Sequence, residues 1–296
     1  MISILIPVFN YSVKDLIIEL KKQAIESDLP IEILVFDDCS TDKDISLLNK
    51  ETCEVYEVSY VLSEQNVGNA KARNFLVGKS TFSWLLFIDA DMFPVNKDFL
   101  FKYIESTVLS EDVICGDVVY KNEVPYEGIL RWKYGRTHEQ VDFNSRIKNP
   151  HLMFRLNCFM IKKDIYLKYP FPELNETYGY TDIFYSSQLK KNGITVRHIE
   201  NPMYHLGLES NEKFLFKTEK AVRNLAHAMH EGKDISLIKL ALFYIKIKRL
   251  YLDIVLRYLY KISYFYIRKN LLSKSPSILL FQFYKLGYLS ELLARK

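Results

Sequence analysis

The sequence has little of what marks flexible linkers, disulfide frameworks or membrane spans. Its 296 residues include only 10 glycines, 9 prolines and 4 cysteines, and the cysteines form no Cys-x-x-Cys pair. Scattered cysteines favour free thiols in a reducing compartment and argue against a zinc site. No stretch approaches about 18 uncharged apolar residues, and the N-terminus lacks the basic segment and cleavage site of a secretory signal. We therefore expect a cytoplasmic protein, attached at most to the surface of a membrane.

Charge is distributed unevenly along the chain. The net charge is +4, but residues 235–296 carry 12 lysines and arginines against two acids, Asp253 and Glu291, so residues 1–234 sum to −6. Hydrophobic residues make up 49% of the chain and charged residues 26%, which is the composition of a folded rather than a disordered protein. We predict a first domain over residues 1–215 and a helical, basic and aromatic extension over residues 216–296.

The most informative stretch is an apolar strand with acids at its end. Trp84–Ile88 form an uninterrupted apolar run, which is typical of a strand buried on both faces of a parallel sheet. Asp89 and Asp91 follow directly, and Pro94 ends the strand pattern. Ligands of open α/β sheets bind beyond the carboxyl ends of strands, and carboxylates suit Mg²⁺ or Mn²⁺, which carry phosphate oxygens. The alternative is that both acids only solubilise a turn.

Two strand–loop–helix units precede this stretch. Residues 2–6 and 31–36 predict strands, and residues 55–62 predict a weaker third strand. The second strand also ends in paired acids, Asp37 and Asp38. Consecutive units of this kind predict a doubly wound, mostly parallel α/β sheet flanked by helices, with right-handed crossovers.

Single residues stand out later in the chain. Arg73 lies in the first turns of a predicted helix, where it either meets a diphosphate or is an exposed solubilising residue. Residues 121–150 show little periodicity, which predicts a long substrate-facing loop. Asp182 lies near the start of a helix that follows a predicted loop over residues 173–179, and residues 202–207 predict another loop.

Together these motifs resemble the family-2 glycosyltransferases, a large group of inverting enzymes with the nucleotide-diphospho-sugar-binding fold called GT-A. The resemblance covers about residues 1–215. Its motifs, in the family's order, are Ile6-Pro7-Val8-Phe9-Asn10, Asp37-Asp38-Cys39-Ser40-Thr41-Asp42, Asn66-Val67-Gly68 with Ala72-Arg73-Asn74, and Asp89-Ala90-Asp91. The chain departs from the family at Cys39, where glycine is usual, and at Thr181 of Gly179-Tyr180-Thr181-Asp182, where glutamate is usual.

The resemblance implies roles for these residues. Asp91, with His205 from Asn201-Pro202-Met203-Tyr204-His205-Leu206-Gly207, would hold Mn²⁺ or Mg²⁺, and Asp182 would be the catalytic base. Asp38 would accept a hydrogen bond from the nucleobase, and Asp89 would orient the sugar or the ribose. The implied nucleotide-sugar-binding residues are Pro7, Phe9, Asn10, Asp37, Asp38, Asn66, Arg73, Asp89 and Ala90.

The resemblance also implies a reaction and its partners. The donor would be a nucleotide-diphosphate sugar, with UDP-sugar preferred, and the acceptor a hydroxyl group of a saccharide or a lipid-linked molecule. Transfer would invert the anomeric carbon and would serve the synthesis of a surface polysaccharide or a glycolipid precursor. No nucleic-acid partner is expected.

The basic extension carries no catalytic motif. Residues 235–296 are helical, aromatic and basic in pattern, which predicts amphipathic helices on an anionic membrane surface, at the inner face of the cell membrane. The alternatives are a helical cap packed on the first domain, or a homodimer interface.

Other functions stay open. A sugar-phosphate nucleotidyltransferase and a dinucleotide-binding oxidoreductase are disfavoured, because both need a glycine-rich loop near the first strand and Pro7-Val8-Phe9-Asn10 has no glycine. A non-catalytic sugar-nucleotide-binding protein stays an alternative, because Thr181 replaces the glutamate that is usual in the family.

Overall fold

The predicted buried strands form the centre of one eight-stranded sheet. The structure is a computed structural model, and it describes residues 1–172 and 179–294. Its strands are β1 (Ile2–Val8), β2 (Ile31–Asp37), β3 (Ser59–Leu62), β4 (Trp84–Ile88), β5 (Met92–Pro94), β6 (Val113–Val119), β7 (Cys158–Lys162) and β8 (Val196–His205). Their spatial order is β3-β2-β1-β4-β7-β6-β8-β5.

The chain divides into two units. The sheet unit lies within residues 1–119, 141–175 and 188–207, and the helical unit lies within residues 120–140, 176–187 and 208–296. The helices of the sheet unit are α1 (Lys14–Glu26), α2 (Lys43–Val55), α3 (Asn69–Lys79), α4 (Phe99–Ser106), α6 (Phe143–Lys148) and α7 (Lys163–Lys168). The helical unit contains α5 (Ile129–Tyr134), a π-helical turn (Gly135–Glu139), α9 (Asn211–His230), α10 (Lys239–Arg249), α11 (Asp253–Leu271) and α12 (Ile278–Ala294), and α8 (Thr181–Lys191) contributes to both units.

The sheet is mostly parallel, as the sequence predicted. β1 pairs in parallel with β2 and β4, β2 with β3, and β6 with β8, whereas β7 is antiparallel to β4 and β6, and β5 is antiparallel to β8. In these parallel pairs, Val8 of β1 is aligned with Asp37 of β2, and Leu5 of β1 is aligned with Phe87 of β4. The carboxyl ends of β1, β2 and β4 therefore meet at one edge of the sheet, where the predicted acids lie.

Three predicted elements differ from the structure. The third strand begins only at Ser59, because the chain continues as α2 to Val55 and then turns through Glu57, whose φ is 51°. Residues 121–150 are not a loop, since they contain α5, the π-helical turn and α6. Residues 202–205 belong to β8, because this strand pairs with both β5 and β6. Pro202 is tolerated there because it lies beside a register shift of the β6–β8 pair.

The helical unit has its own apolar core. One cluster of buried apolar residues joins α9, α10, α11 and α12. A second packs Leu130 of α5 and Phe214 of α9 against buried residues of α11 and α12. Among residues 1–172 and 179–294, no helix is both long and apolar enough to cross a membrane.

Lys285 is a buried cation in the helical unit. Its residue is only 9% exposed, and its Nζ lies 4.8 Å from the ring centroids of both Tyr134 and Phe281. Aromatic faces attract a cation, but they replace its lost hydration only in part. Burial therefore lowers the pKa of Lys285 to about 8.

Replacing Lys285 with methionine tests this shift. Unfolded lysine titrates near 10.5, so between about pH 8 and pH 10.5 the unfolded state binds more protons than the folded state. The free energy of unfolding of the wild type should therefore rise relative to Lys285→Met across this window, by up to about 3 kcal/mol. Denaturant unfolding at several pH values measures the difference. Lys239→Met, at an exposed position, is the control, and a difference that does not change with pH would contradict the burial of the charge.

Candidate functional site

The turn between β4 and β5 carries the two acids singled out in the sequence. Asp89, Ala90 and Asp91 form a tight turn closed by a hydrogen bond from the Met92 N–H to the Asp89 carbonyl, 3.0 Å long. The side chains of Asp89 and Asp91 are 29% and 28% exposed. Both acids therefore remain accessible at the carboxyl edge of the sheet.

Arg73 neutralises the first acid. Its guanidinium forms an ion pair with Asp89, its side chain is 1% exposed, and its Nη2 also donates to the Leu156 carbonyl at 3.4 Å. This burial excludes the alternative of an exposed solubilising arginine. Burial raises the pKa of Asp89, and the charge of Arg73 opposes that rise. Within the described part of the chain, Nε and Nη1 of Arg73 have no hydrogen-bond partner.

His205 approaches the second acid. Antiparallel pairing of β5 with β8 sets Met92 opposite His205, and the Leu206 N–H donates to the Asp91 carbonyl at 2.8 Å. As a result, Nε2 of His205 lies 3.5 Å from Oδ2 of Asp91. The structure thus brings together the two residues that the resemblance implied as metal ligands.

Two further residues lie beside Asp91 and were missed in the sequence. Burial and then the negative charge of Asp91 raise the pKa of Tyr11, which identifies Tyr11 as an electrostatic neighbour. A Cβ placed on Gly207 would lie 2.7 Å from Cβ and 2.8 Å from Cγ of Asp91, so only glycine fits there without a shift. Gly207 ends the motif that contains His205, but nothing in the local sequence pattern indicates why a glycine is needed there.

Asp91 and His205 fit a divalent cation as a pair. Two donors that are each about 2.1 Å from one ion can be up to roughly 4.2 Å apart, so a separation of 3.5 Å is compatible with a shared ion. Carboxylate and imidazole together suit Mn²⁺, and Mg²⁺ sites commonly combine one or two carboxylates with substrate phosphates. In the part of the chain that the structure describes, no group of three or more His, Cys, Asp or Glu residues is arranged to hold a metal. An ion held by Asp91 and His205 would have coordination positions open to substrate phosphates and water.

Asp38 organises the loop before α3. Its Oδ1 accepts from the Val67 N–H at 2.6 Å and its Oδ2 from the Gly68 N–H at 2.9 Å, while Asn66 Nδ2 donates to the Asp38 carbonyl at 3.0 Å. Burial raises the pKa of Asp38, and the two backbone hydrogen bonds oppose the rise. Each carboxylate oxygen can accept more than one hydrogen bond, so Asp38 can still meet a ligand.

Asn10 joins the loop after β1 to the loop after β2. Its Oδ1 accepts from the N–H groups of Thr41 and Asp42 at 2.8 and 3.0 Å, and its own N–H donates to Ser40 Oγ at 2.9 Å. Its φ of 51° is left-handed, a conformation that asparagine tolerates better than most residues. The neighbouring Phe9 is 47% exposed, so its ring is available as a wall for a ligand.

Asp37 is a buried residue whose carboxylate holds neighbouring elements together. It is fully buried, and its carboxylate accepts from the Ser40 N–H at 2.8 Å, from the Ser46 hydroxyl at 3.0 Å and from the Tyr60 hydroxyl at 2.6 Å. These bonds tie the end of β2 to α2 and β3. Cys39, two residues further along the chain, has a φ of 61°, which explains physically why glycine would be suited to that position.

Asp182 belongs to the helical unit. It lies in the first turn of α8, is half-buried, and its Oδ1 accepts from the Ile183 N–H at 2.9 Å. Before it, Gly179 and Tyr180 are left-handed, with φ of 94° and 61°, and a Cβ on Gly179 would lie 2.7 Å from Cα of Ala221. Most of the loop predicted over residues 173–179 lies outside the described residues.

Solved structures share this fold. A mannosyltransferase from Pyrobaculum calidifontis, PcManGT, solved with GDP-Man and Mn²⁺, matches 99% of this chain and 85% of its own, with a TM-score of 0.59 and 15% identity. Glucosyl-3-phosphoglycerate synthase from Mycobacterium tuberculosis, solved with Mn²⁺, UDP and glucosyl-3-phosphoglycerate, matches 79% of this chain and 81% of its own, with a TM-score of 0.54 and 16% identity. At these identities the likeness shows the fold, which is GT-A.

Sequence comparison identifies the family. The family model described as Glycosyl transferase family 2 matches residues 3–169, more than half of the chain. The chain therefore belongs to glycosyl transferase family 2. An uncharacterized glycosyltransferase of Haemophilus influenzae is 32% identical over 98 residues, which are 32% of this chain and 38% of that protein. The chain thus matches well under half the length of this relative.

Gly207→Ala tests the packing around Asp91. The added methyl group must displace the Asp91 carboxylate from His205, so we expect Mn²⁺ binding in the presence of UDP to weaken by about tenfold or more. Isothermal titration calorimetry measures the affinity. The control is Gly78→Ala, because a Cβ on Gly78 meets no atom within 4 Å. Equal affinities for both variants would show that Gly207 has no influence on the cation site.

Proposed function

We propose that this family 2 glycosyltransferase moves a sugar from a nucleotide diphosphate to an acceptor hydroxyl, with inversion at the anomeric carbon and with a metal ion bound. The observation that carries the proposal is the pair formed by Asp91 and His205 at the carboxyl edge of the sheet, 3.5 Å apart. UDP-sugars are the first donors to test. GDP-sugars come second, because PcManGT was solved with GDP-Man.

The loops at this edge would bind the nucleotide. Asp38 would accept a hydrogen bond from the base with an oxygen lone pair that Val67 and Gly68 do not use. The exposed ring of Phe9 would cover one face of the nucleoside, and Asn10 would keep both loops in place. Asp37 would support Asp38 from inside the fold rather than contact the donor.

The two acids of the β4–β5 turn would differ in role. Asp89 is neutralised by Arg73 and would orient a hydroxyl group of the sugar or the ribose. Asp91 and a neutral His205 would hold Mn²⁺ or Mg²⁺, and a bound cation offsets the negative charge that develops on a leaving diphosphate. The negative charge of Asp91 also helps to raise the pKa of Tyr11, after burial, so a cation at Asp91 would oppose that rise.

Asp182 would act as the catalytic base. Its side chain lies at the N-terminus of α8 and would act as a carboxylate. A carboxylate in this state can remove the proton of an acceptor hydroxyl as that oxygen attacks the anomeric carbon. Thr181 cannot replace the glutamate usual in the family as a proton acceptor, so Asp182 would have this role alone.

The acceptor would be a saccharide or a lipid-linked molecule, in the synthesis of a surface polysaccharide or glycolipid precursor. A peripheral position at the inner face of the cell membrane would bring the enzyme to a lipid-linked acceptor.

Asp91→Asn tests the proposed function directly. Asparagine keeps the shape of the side chain but removes the charge, so we expect metal-dependent transfer to fall by about 10²-fold or more, with the fold intact. A screen of UDP- and GDP-sugars for thermal shifts with and without Mn²⁺ identifies the donor for this assay. Asp15→Asn, at an exposed position on α1, is the control. Full metal-dependent transfer by Asp91→Asn would rule out the metal role of Asp91.

Asp182→Asn separates catalysis from binding. We expect donor affinity to stay unchanged and the turnover number to fall by about 10²- to 10⁴-fold, because only the proton acceptor is lost. Steady-state kinetics and donor titration measure the two effects. If the wild type binds donor but transfers sugar no faster than Asp182→Asn, the chain is a non-catalytic sugar-nucleotide-binding protein.

A further inference from the structure

α11 is apolar on both of its sides. One side is buried in the helical unit through Leu256, Tyr260, Ile267 and Leu271. The other side exposes seven large apolar residues, which we call the α11 face: Ile254, Val255, Tyr258, Leu259, Ile262, Phe265 and Tyr266. Their exposed fractions are 65%, 51%, 65%, 45%, 56%, 70% and 74%. They recur every three or four residues, so they form one continuous stripe.

Such a stripe is unusual for a helix surrounded by water. A surface helix normally presents charged and polar residues opposite its buried side, and contiguous apolar patches mark sites that contact a partner or a membrane. The preceding turn extends the stripe, because Leu250 and Tyr251 are 67% and 86% exposed. The α11 face therefore has the character of a surface that is covered in use.

Basic residues surround the α11 face. The last turn of α10 carries Lys246, Lys248 and Arg249, all exposed, directly before the stripe in the chain. Lys261 lies between Tyr258 and Phe265 by helical spacing, and Lys269 follows Ile262 by two turns. The surface thus combines apolar side chains with cations.

The acids of this region are already paired. Asp253 forms an ion pair with Arg257 at 3.2 Å, and Glu291 forms one with Lys261 at 3.1 Å. They are the only acids among residues 235–296, against 12 lysines and arginines. The charge that the region presents to a partner is therefore positive.

We infer that the α11 face docks on an anionic lipid bilayer, with α11 lying in the plane of the membrane surface. Apolar residues would enter the boundary between headgroups and acyl chains, and lysine side chains would extend to the lipid phosphates. Tyrosine suits this boundary because it has an apolar ring and a polar hydroxyl. This inference extends the peripheral membrane position proposed above, but it rests on α11 alone and does not depend on the donor or metal site.

Charge favours a bilayer over a second copy of the chain. In a symmetric dimer the same patch meets itself, so the basic residues around the α11 face would oppose those of the partner copy. Anionic lipids instead attract these cations, each by about fivefold in binding when it is near the surface.

Co-sedimentation with vesicles tests the inference on the full chain. The wild type should bind vesicles containing phosphatidylglycerol more tightly than vesicles of phosphatidylcholine alone, and added salt should weaken the binding. The double variant Ile262→Ser/Phe265→Ser should bind phosphatidylglycerol vesicles about tenfold or more weakly, because two inserted side chains are lost.

A matched control uses the same two residue types on other helices. Ile25 on α1 and Phe101 on α4 are 75% and 55% exposed, so Ile25→Ser/Phe101→Ser removes comparable exposed apolar groups. This control should bind vesicles like the wild type. Circular dichroism melting checks that both variants fold. UDP-sugar binding in solution, unchanged in both, reports on the donor site separately.

Two results would overturn the inference. The first is equal vesicle binding by the wild type and the α11 double variant. The second is a wild-type dimer, observed by sedimentation velocity without lipid, that becomes a monomer in Ile262→Ser/Phe265→Ser. That result would show that a second copy of the chain, not a bilayer, covers the α11 face.

Discussion

The ion pair between the buried Arg73 and the partly exposed Asp89 decides what the two acids of the β4–β5 turn can do. A guanidinium at 1% exposure needs a negative partner, since removing one member of a buried pair typically costs about 3–5 kcal/mol. Asp89 supplies that charge, so little of its own negative charge is left to hold a cation. Asp91 lies beside His205, whose Nε2 is 3.5 Å from its Oδ2. Two acids separated by one residue are thereby given different electrostatic surroundings.

The sheet makes this arrangement possible. Parallel pairing of β1 with β2 and β4 brings Asn10, Asp38 and Asp91 to one edge, although they are far apart in the chain. The antiparallel pairing of β5 with β8 then adds His205 and Gly207. The loops after β1 and β2 are held by side chain–backbone hydrogen bonds, as Asp38 shows with Val67 and Gly68, and the β4–β5 turn is closed by a backbone hydrogen bond. The edge is therefore ordered by the fold itself, as the proposed nucleotide site requires.

The sequence predicted those features that depend on local pattern. The apolar runs of β1, β2 and β4 and the acids at the ends of β2 and β4 are visible within a few residues. The resemblance to family 2 and the GT-A fold is confirmed. Features that depend on pairing between strands far apart in the sequence could not be predicted from local pattern. The end of β8 at His205 was predicted as a loop, because its partners β5 and β6 lie about a hundred residues earlier.

Burial was the second property that the sequence could not supply. Arg73 looks like any surface arginine in its helix, and only the fold shows that it is enclosed. The same limit applies to Tyr11, whose pKa the charge of Asp91 helps to raise, and to Gly207, where an added Cβ would meet Asp91. The basic character of the extension, by contrast, was plain from composition, and the structure added which face of α11 is exposed.

A structure of the protein with UDP and Mn²⁺ tests the central claim most directly. We predict that Mn²⁺ binds between Asp91 and His205, that diphosphate oxygens complete its coordination, and that the base lies beside Phe9 and Asp38. Mn²⁺ bound elsewhere, or UDP bound with neither Asp38 nor Asp91 in contact, would contradict it.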